Sequence, residues 1–114
     1  MKYRLFGKTQ RSLSVFSLGT MRYLSSEKNA VETVHQAIAL GINHLETARG
    51  YGKSEQFLGV ALQSGLPITR AQLCITTKLP PTPDAAQMES WIDESLQRLK
   101  LDYLDCLAIH GLNT

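Results

Sequence analysis

The sequence predicts an α/β fold in which helices alternate with the strands of a parallel sheet. Short apolar runs rich in β-branched residues alternate with longer segments whose apolar residues recur every three or four positions. One strand and one helix together take about thirty residues, a spacing typical of βαβ units. Polar side chains stand at the ends of three predicted strands. Parallel α/β proteins gather their functional groups at such ends.

Composition predicts one globular domain over residues 1–114, with no second domain. The 114 residues are 43% apolar, enough for a small hydrophobic core. A net charge of +2 is too small to indicate nucleic-acid or membrane binding. The basic residues 1–4 are not followed by the apolar segment of a signal peptide, and two cysteines do not make a disulfide framework. We therefore expect a cytoplasmic protein without a bound metal.

The first part of the chain is predicted to form a hairpin, a strand and a helix. The hairpin pairs residues 3–6 with residues 13–14 around a turn at Gly7, and residues 15–19 form the first strand of the sheet. Ser25 or Ser26 can cap the first helix, and Gly41 ends it. The apolar stripe of this helix comprises Ala30, Val31, Val34, Ala37 and Ile38.

The remaining elements continue the alternation. Residues 42–46, 73–78 and 103–110 are predicted strands. Ser54 is the predicted N-cap of the second helix, which Gly65 ends. A proline-rich break precedes the third helix, where Thr82 is the predicted N-cap and Pro83 the first helical residue. The apolar faces comprise Phe57, Leu58, Ala61 and Leu62 in the second helix, and Met88, Trp91, Ile92, Leu96 and Leu99 in the third.

Four polar residues are predicted to meet at the carboxyl edge of the sheet. Glu46, Lys78 and His110 end the second, third and fourth strands, and Tyr51 follows the second strand between two glycines. A free phenol ionises only near pH 10, and a neighbouring ammonium favours the phenolate. A carboxylate beside the lysine keeps the ammonium charged, and a histidine can orient a carbonyl oxygen. Such a set suits proton donation to a carbonyl group as it is reduced.

Other polar residues have simpler interpretations. His44 points to the same face of its strand as Glu46, and we interpret it as a hydrogen-bonded interior histidine. His35 is expected on the surface of the first helix. Cys74 and Cys106 each precede a candidate residue by four positions, and we interpret both as buried, unreactive thiols.

An ordered series of motifs resembles the aldo-keto reductases nearly from end to end. The hairpin and the first half of the sheet contribute Phe6-Gly7-Lys8-Thr9, Leu18-Gly19-Thr20-Met21, Gly41-Ile42-Asn43 and Glu46-Thr47-Ala48-Arg49-Gly50-Tyr51-Gly52. The later elements contribute Ser54-Glu55 with Leu58-Gly59, Thr76-Thr77-Lys78, and Asp102-Tyr103-Leu104-Asp105 with Ile109-His110. Several motifs in order at the correct spacing are a more specific signal than any one of them.

The resemblance implies a (β/α)8 barrel that binds NADPH and reduces aldehydes or ketones. Tyr51 corresponds to the family's proton donor, Lys78 to the lysine that assists it, and His110 to the histidine that orients the carbonyl. Glu46 stands where the family usually has aspartate, and it is expected to contact Lys78 and to lie beside the cofactor.

The resemblance also implies a cofactor-binding loop. Gly19, Thr20 and Met21 correspond to the loop that touches the nicotinamide end of NADPH. The motif around Tyr51 is similar to that of a branch that carries an iron–sulfur module after the barrel, and no such module is expected within this chain.

The sequence predicts only the N-terminal half of such a barrel. A (β/α)8 barrel takes about 250 residues, so a chain with four strands is interpreted as a fragment whose phosphate-binding loops are missing. Exposed edges on the first and fourth strands would favour self-association. The expected partner is a small carbonyl substrate of unknown identity. The alternatives are a regulatory NADPH-binding protein on the same scaffold, an inactive fragment, and a free-standing α/β domain of another family.

Overall fold

The computed structural model of the protein describes residues 1–22 and 26–111. A two-stranded hairpin precedes a four-stranded sheet whose strands alternate with helices. The strands are β1 (Tyr3–Leu5), β2 (Ser12–Ser14), β3 (Leu18–Gly19), β4 (His44–Glu46), β5 (Cys74–Leu79) and β6 (Cys106–Ile109). The helices are α1 (Glu27–Ala39), α2 (Ser54–Gln63) and α3 (Ala85–Leu99), and a 3-10 turn spans Arg70–Gln72.

The four-stranded sheet is parallel throughout, and its order β3-β4-β5-β6 follows the chain. The predicted α/β class, the parallel sheet and the antiparallel hairpin are therefore confirmed. The register places Gly19, Glu46, Thr76 and Cys106 side by side across the sheet. Because alternate residues of a strand share a face, Lys78 projects from the same face as these four.

The strands are shorter than the sequence predicts. The first strand of the sheet was expected over residues 15–19, but only Leu18 and Gly19 pair with β4, while Val15 and Phe16 are exposed. The second and fourth strands also begin later than predicted, at His44 and Cys106. A residue can pair in a sheet only where a neighbouring strand lies beside it. The neighbour of β3 is β4, which is only three residues long, so β3 is short as well.

Helix α1 begins and ends near its predicted signals. The Ser26 side chain accepts a hydrogen bond from the Asn29 backbone N–H at 3.1 Å, so Ser26 is the N-cap. The alternative cap, Ser25, lies outside the described residues. Leu40 is the C-cap and Gly41 follows it with φ +96°, the left-handed conformation that glycine adopts most readily.

Two predicted N-caps are wrong. Helix α2 begins at Ser54 itself, and the preceding residue, Lys53, makes no capping bond with its side chain. Helix α3 is capped by Asp84, not Thr82, and Pro83 lies before the helix. The Asp84 carboxylate accepts from two backbone N–H groups, at 3.0 and 3.3 Å. Thr82 instead accepts from the Asp84 N–H, so it shapes the turn before the cap.

The hydrophobic core lies between the sheet and the helices. Its buried members are Val34, Ile38, Leu45, Leu58, Ala61, Leu73, Ile75 and Leu99. The predicted stripes of α1 and α2 supply four of them, while in the predicted stripe of α3 Leu99 is fully buried and the other members are half-buried. Helices α2 and α3 touch at Gly59, where a Cβ would lie 2.3 Å from the Arg98 carbonyl oxygen. Only glycine permits this backbone approach.

The helix-facing side of the sheet is left uncovered only at β6 in the described part of the chain. Leu107 and Ile109 of β6 are 39% and 42% exposed, whereas Leu45 of β4 and Ile75 of β5, on the same face, are fully buried. The outer edges of β3 and β6 pair with no other strand among residues 1–22 and 26–111. Within the same residues, no helix has the length and hydropathy needed to cross a membrane.

Candidate active site

The candidate site lies where the strands of the parallel sheet reach their carboxyl ends. Glu46 is the last residue of β4, Lys78 is the second-last of β5, and His110 follows β6 directly. Tyr51 lies in the turn between β4 and α2. The structure brings all four of these sequence-predicted residues together, because the register places the carboxyl ends of their strands side by side.

Lys78 is at the centre of the cluster. Its Nζ forms an ion pair with Glu46 Oε1 and donates to the Tyr51 hydroxyl oxygen at 2.9 Å. It also donates to the Thr47 carbonyl oxygen at 3.2 Å. The same Nζ lies 4.6 Å from the centroid of the Tyr51 ring. The extra methylene of glutamate, compared with aspartate, is therefore compatible with direct contact to the lysine.

Tyr51 and His110 meet edge to face. Their ring centroids are 5.3 Å apart and the rings are perpendicular. The turn that carries Tyr51 is closed by a hydrogen bond from its N–H to the Ala48 carbonyl oxygen, and Gly52 follows with φ +57°. On the other side, the His110 N–H donates to the Leu79 carbonyl oxygen at 2.7 Å. Backbone contacts thus hold both rings at the rim.

Partial burial sets the electrostatics of the lysine. The Lys78 side chain is 18% exposed and that of Glu46 is 28% exposed. Desolvation lowers the pKa of Lys78 from its usual value of 10.5. The ion pair with Glu46 opposes this effect, because a nearby negative charge favours the ammonium.

The main chain of Thr20, in the loop after β3, is bound to neighbouring elements: its N–H donates to the Glu46 carbonyl oxygen, and its carbonyl oxygen accepts from Ser54. Thr20 is fully buried, and its hydroxyl donates to the Glu46 carbonyl oxygen at 3.0 Å. Met21 is 56% exposed. A Cβ placed on Gly19 would lie 3.6 Å from Glu46 Oε2, so the glycine leaves open space beside that carboxylate.

Sequence reasoning missed a buried hydroxyl cluster beneath this loop. Ser54 Oγ donates to the Thr20 carbonyl oxygen at 2.7 Å and lies 2.7 Å from Thr20 Oγ1 and 2.9 Å from Thr47 Oγ1. These bonds explain why Ser54 does not cap its helix: its hydroxyl is directed at the loop. The Ser54-Glu55 pair was recognised as a motif, but nothing in its spacing indicates these partners.

The two other histidines have structural partners. His44 is hydrogen-bonded, as predicted, but it is half-buried and not interior: Nδ1 lies 2.8 Å from Ser17 Oγ and Nε2 lies 2.8 Å from Thr76 Oγ1. Burial lowers its pKa below the usual 6.5, and the negative charge of Asp105 partly opposes this. The surface prediction for His35 is wrong, because the residue is half-buried and its Nε2 lies 3.1 Å from the Ala61 carbonyl oxygen.

Both cysteines are free thiols on neighbouring strands. Cys74 is buried, as predicted, whereas Cys106 is only half-buried. Burial, more than any nearby charge, raises the pKa of the Cys74 thiol. A thiol that resists ionisation is a poor nucleophile, in agreement with the prediction that Cys74 is unreactive.

The fold and the site define the general class of this protein. It is built from parallel βα units of the barrel type, and its polar cluster stands at the carboxyl ends of the strands. The chain belongs to the aldo/keto reductase family, whose sequence profile matches residues 16–113.

Similar proteins agree with this family. The chain is 34% identical to the uncharacterized oxidoreductase YqkF of Bacillus subtilis, in an alignment covering 97% of the chain and 39% of that protein. It is also 34% identical to L-galactose dehydrogenase of Arabidopsis thaliana, covering 98% of the chain and 39% of the relative. The holo form of an aldo-keto reductase from Bacillus halodurans superimposes with a TM-score of 0.86 at 28% identity, covering 99% of the chain and 41% of that structure. The chain thus spans about two fifths of the length of these proteins.

Proposed function

We propose that the protein containing this chain is an NADPH-dependent oxidoreductase that reduces aldehydes or ketones to alcohols, with Tyr51 as the proton donor. The observation that carries the proposal is the position of the Lys78 ammonium, 2.9 Å from the Tyr51 hydroxyl and paired with Glu46. Membership in the aldo/keto reductase family supports the reaction type.

Each of the four residues has a distinct role in this mechanism. NADPH, when bound, supplies the hydride for the carbonyl carbon. Tyr51 donates its phenolic proton to the carbonyl oxygen, and the Lys78 ammonium stabilises the phenolate that remains. Glu46 holds the ammonium in place and keeps it charged. His110, in contact with the Tyr51 ring, orients the carbonyl oxygen toward the phenol.

The residues at the rim fit a nicotinamide on the side of the loop after β3. The space beside the Glu46 carboxylate, which a side chain at Gly19 would enter, is open. Exposed Met21 is available for contact with a flat ring, and the buried Thr20 hydroxyl holds the loop backbone to β4. Gly19 would therefore leave room for the ring, Thr20 would hold the loop in place, and Met21 would contribute a side chain.

A regulatory NADPH-binding protein on the same scaffold is the second candidate. Glu46 in place of the family's usual aspartate suggests it, because this change is a possible sign of weakened chemistry. The ion pair between Glu46 and Lys78 favours the catalytic candidate instead. Tight NADPH binding without turnover of any carbonyl compound would favour the regulatory one.

We also propose that the chain is the N-terminal part of a longer barrel in the cytoplasm. The proposal is supported by the uncovered side chains of β6 and by the unpaired edges of β3 and β6 in the described residues. Circular dichroism and size-exclusion chromatography of residues 1–114 test it. We expect non-cooperative melting or self-association, whereas a cooperative monomer would contradict the proposal.

The replacement Tyr51→Phe tests the mechanism. It keeps the ring that contacts His110 but removes the proton, so we expect kcat to fall by about a hundredfold or more. NADPH consumption with a panel of aldehydes measures this. Tyr103→Phe is the matched control, because this exposed tyrosine lies outside the site. Turnover of Tyr51→Phe at the wild-type rate would disprove the assignment.

A further inference from the structure

Arg49 links the turn that carries Tyr51 to a helix outside the site. Its Nη2 forms an ion pair with Glu94 Oε2 at 2.6 Å, and its guanidinium carbon lies 5.4 Å from the centroid of the Trp91 ring. Both partners are on α3. The backbone N–H of Arg49 meanwhile donates to the Lys78 carbonyl oxygen at 3.0 Å. The residue is therefore fixed to β5 by its main chain and to α3 by its side chain.

The contact with Glu94 continues through a series of charged groups. Arg98 Nη2 lies 3.5 Å from Glu94 Oε2, and Arg98 Nη1 lies 3.0 Å from Glu55 Oε1. Glu55 is 1% exposed, and its other oxygen accepts from the Thr77 hydroxyl at 2.8 Å. This ion-pair chain of Arg49, Glu94, Arg98 and Glu55 begins two residues before Tyr51 and ends at the neighbour of Lys78.

The two ends of this ion-pair chain lie next to Tyr51 and Lys78, the two groups whose separation matters most for proton transfer. The Tyr51 hydroxyl must stay within hydrogen-bonding distance of Lys78 Nζ, and small displacements of a reacting group can cost large factors in rate. Two glycines flank Tyr51 and leave its turn intrinsically flexible. Arg49 is the side chain next to this turn that anchors it to a rigid helix.

A purely structural role explains less. The Arg49 side chain is 20% exposed and that of Glu94 is 44% exposed, so solvent screens part of their attraction and limits its contribution to stability. Arg49 Nη1 has no hydrogen-bond partner in the described part of the chain, so Glu94 alone pairs with the guanidinium. The ion pair between Arg49 and Glu94 is therefore better explained by its effect on the position of the turn that carries Tyr51 than by its contribution to stability.

We propose that Arg49 is a positioning residue that holds Tyr51 against Lys78 through its ion pair with Glu94 and its stacking on Trp91. The proposal rests on the reductase function proposed above. Lysine cannot replace arginine here, because it lacks the planar group that pairs and stacks at the same time.

Three variants test the proposal by steady-state kinetics in the protein containing this chain. Glu94→Gln and Arg49→Gln should each lower kcat about tenfold, while KM for an aldehyde stays within about twofold, because only the reacting geometry changes. The double variant should be no slower than Arg49→Gln, since Arg49→Gln already removes the ion pair that Glu94→Gln breaks. Glu32→Gln is the control, because it removes an exposed ion pair with Lys28 on α1. Unchanged kcat, or additive losses in the double variant, would overturn the proposal.

A measurement independent of turnover separates this proposal from the proposed function. The NMR signal of ring-labelled tyrosine at position 51, assigned by its loss in Tyr51→Phe, should shift or broaden in Glu94→Gln. The thermal midpoint should remain near that of the wild type. If the wild type reduces no carbonyl compound, the proposed function fails and the NMR signal still decides the role of Arg49. An unchanged signal in Glu94→Gln would overturn that role.

Discussion

Two clusters of ion pairs lie at opposite ends of the same parallel strands. At the amino end, Asp105 pairs with Arg11 at 2.9 Å and with Arg70 at 2.8 Å, and it accepts from the Ile75 N–H at 2.8 Å. Its side chain is 6% exposed. At the carboxyl end, Lys78 pairs with Glu46, and both side chains are more exposed.

The two clusters differ in the kind of partner that surrounds the central charged group. Among the described residues, the partners of the Asp105 carboxylate are all donors, namely two guanidinium groups and one backbone N–H. This cluster therefore stabilises the strands. Lys78 instead has a phenol among its partners, and that phenol lies at an open rim. The same elementary interaction is thus structural at one end and available for chemistry at the other.

Breaking the amino-end cluster should have the largest effect on stability. Asp105→Asn removes the charge shared by two partly exposed arginines and leaves them only backbone carbonyl acceptors among the described residues, so we expect the free energy of unfolding to fall by about 2 kcal/mol. Urea denaturation measures this change. Asp102→Asn, an exposed aspartate three residues earlier, is the control and should stay within about 0.5 kcal/mol of the wild type. A similar value for both variants would contradict the proposed contrast between the two ends.

Removing the lysine should separate activity from stability at the carboxyl end. Lys78→Met deletes the ammonium that contacts both Glu46 and Tyr51, so we expect kcat to fall by about a hundredfold while the unfolding free energy changes much less than in Asp105→Asn. Lys53→Met, which removes an exposed lysine two residues from Tyr51, is the matched control. A kcat within about threefold of the wild type in Lys78→Met would be incompatible with the mechanism.

The smallest effect is expected between the two ends, at His44. Because burial lowers the pKa of His44 below 6.5, the unfolded chain binds this proton more tightly than the folded chain. Stability therefore rises with pH between the folded-state pKa and 6.5, and the contribution of neutral His44 is lost as the pH falls through that window. His44→Gln should remove this part of the pH dependence.

Urea unfolding at several pH values from about 7.5 to 5 measures the effect, and NMR titration of the imidazole gives the midpoint directly. An identical acid dependence in wild type and His44→Gln would show that another group is responsible.

Most of the fold was predictable because its signals are local. Alternating apolar periods predicted the order of strands and helices, and that order together with short connections predicts a parallel sheet. Caps were less predictable, because several polar residues compete at each helix start. Asp84, and not Thr82, caps α3, because its carboxylate accepts two hydrogen bonds from the helix. The Ser54 hydroxyl does not cap α2, because it donates to the Thr20 carbonyl oxygen in a distant loop.

The sequence by itself determined that Glu46, Tyr51, Lys78 and His110 lie at one edge, because carboxyl ends of parallel strands meet there whatever the packing details. Only the tertiary structure decided which charged groups become partners. Arg49 and Glu94 are 45 positions apart, and their contact depends on how α3 lies against the sheet. A side-chain contact of this kind changes with a shift of one helical turn. Such a shift leaves the hydrophobic period of the sequence unaltered.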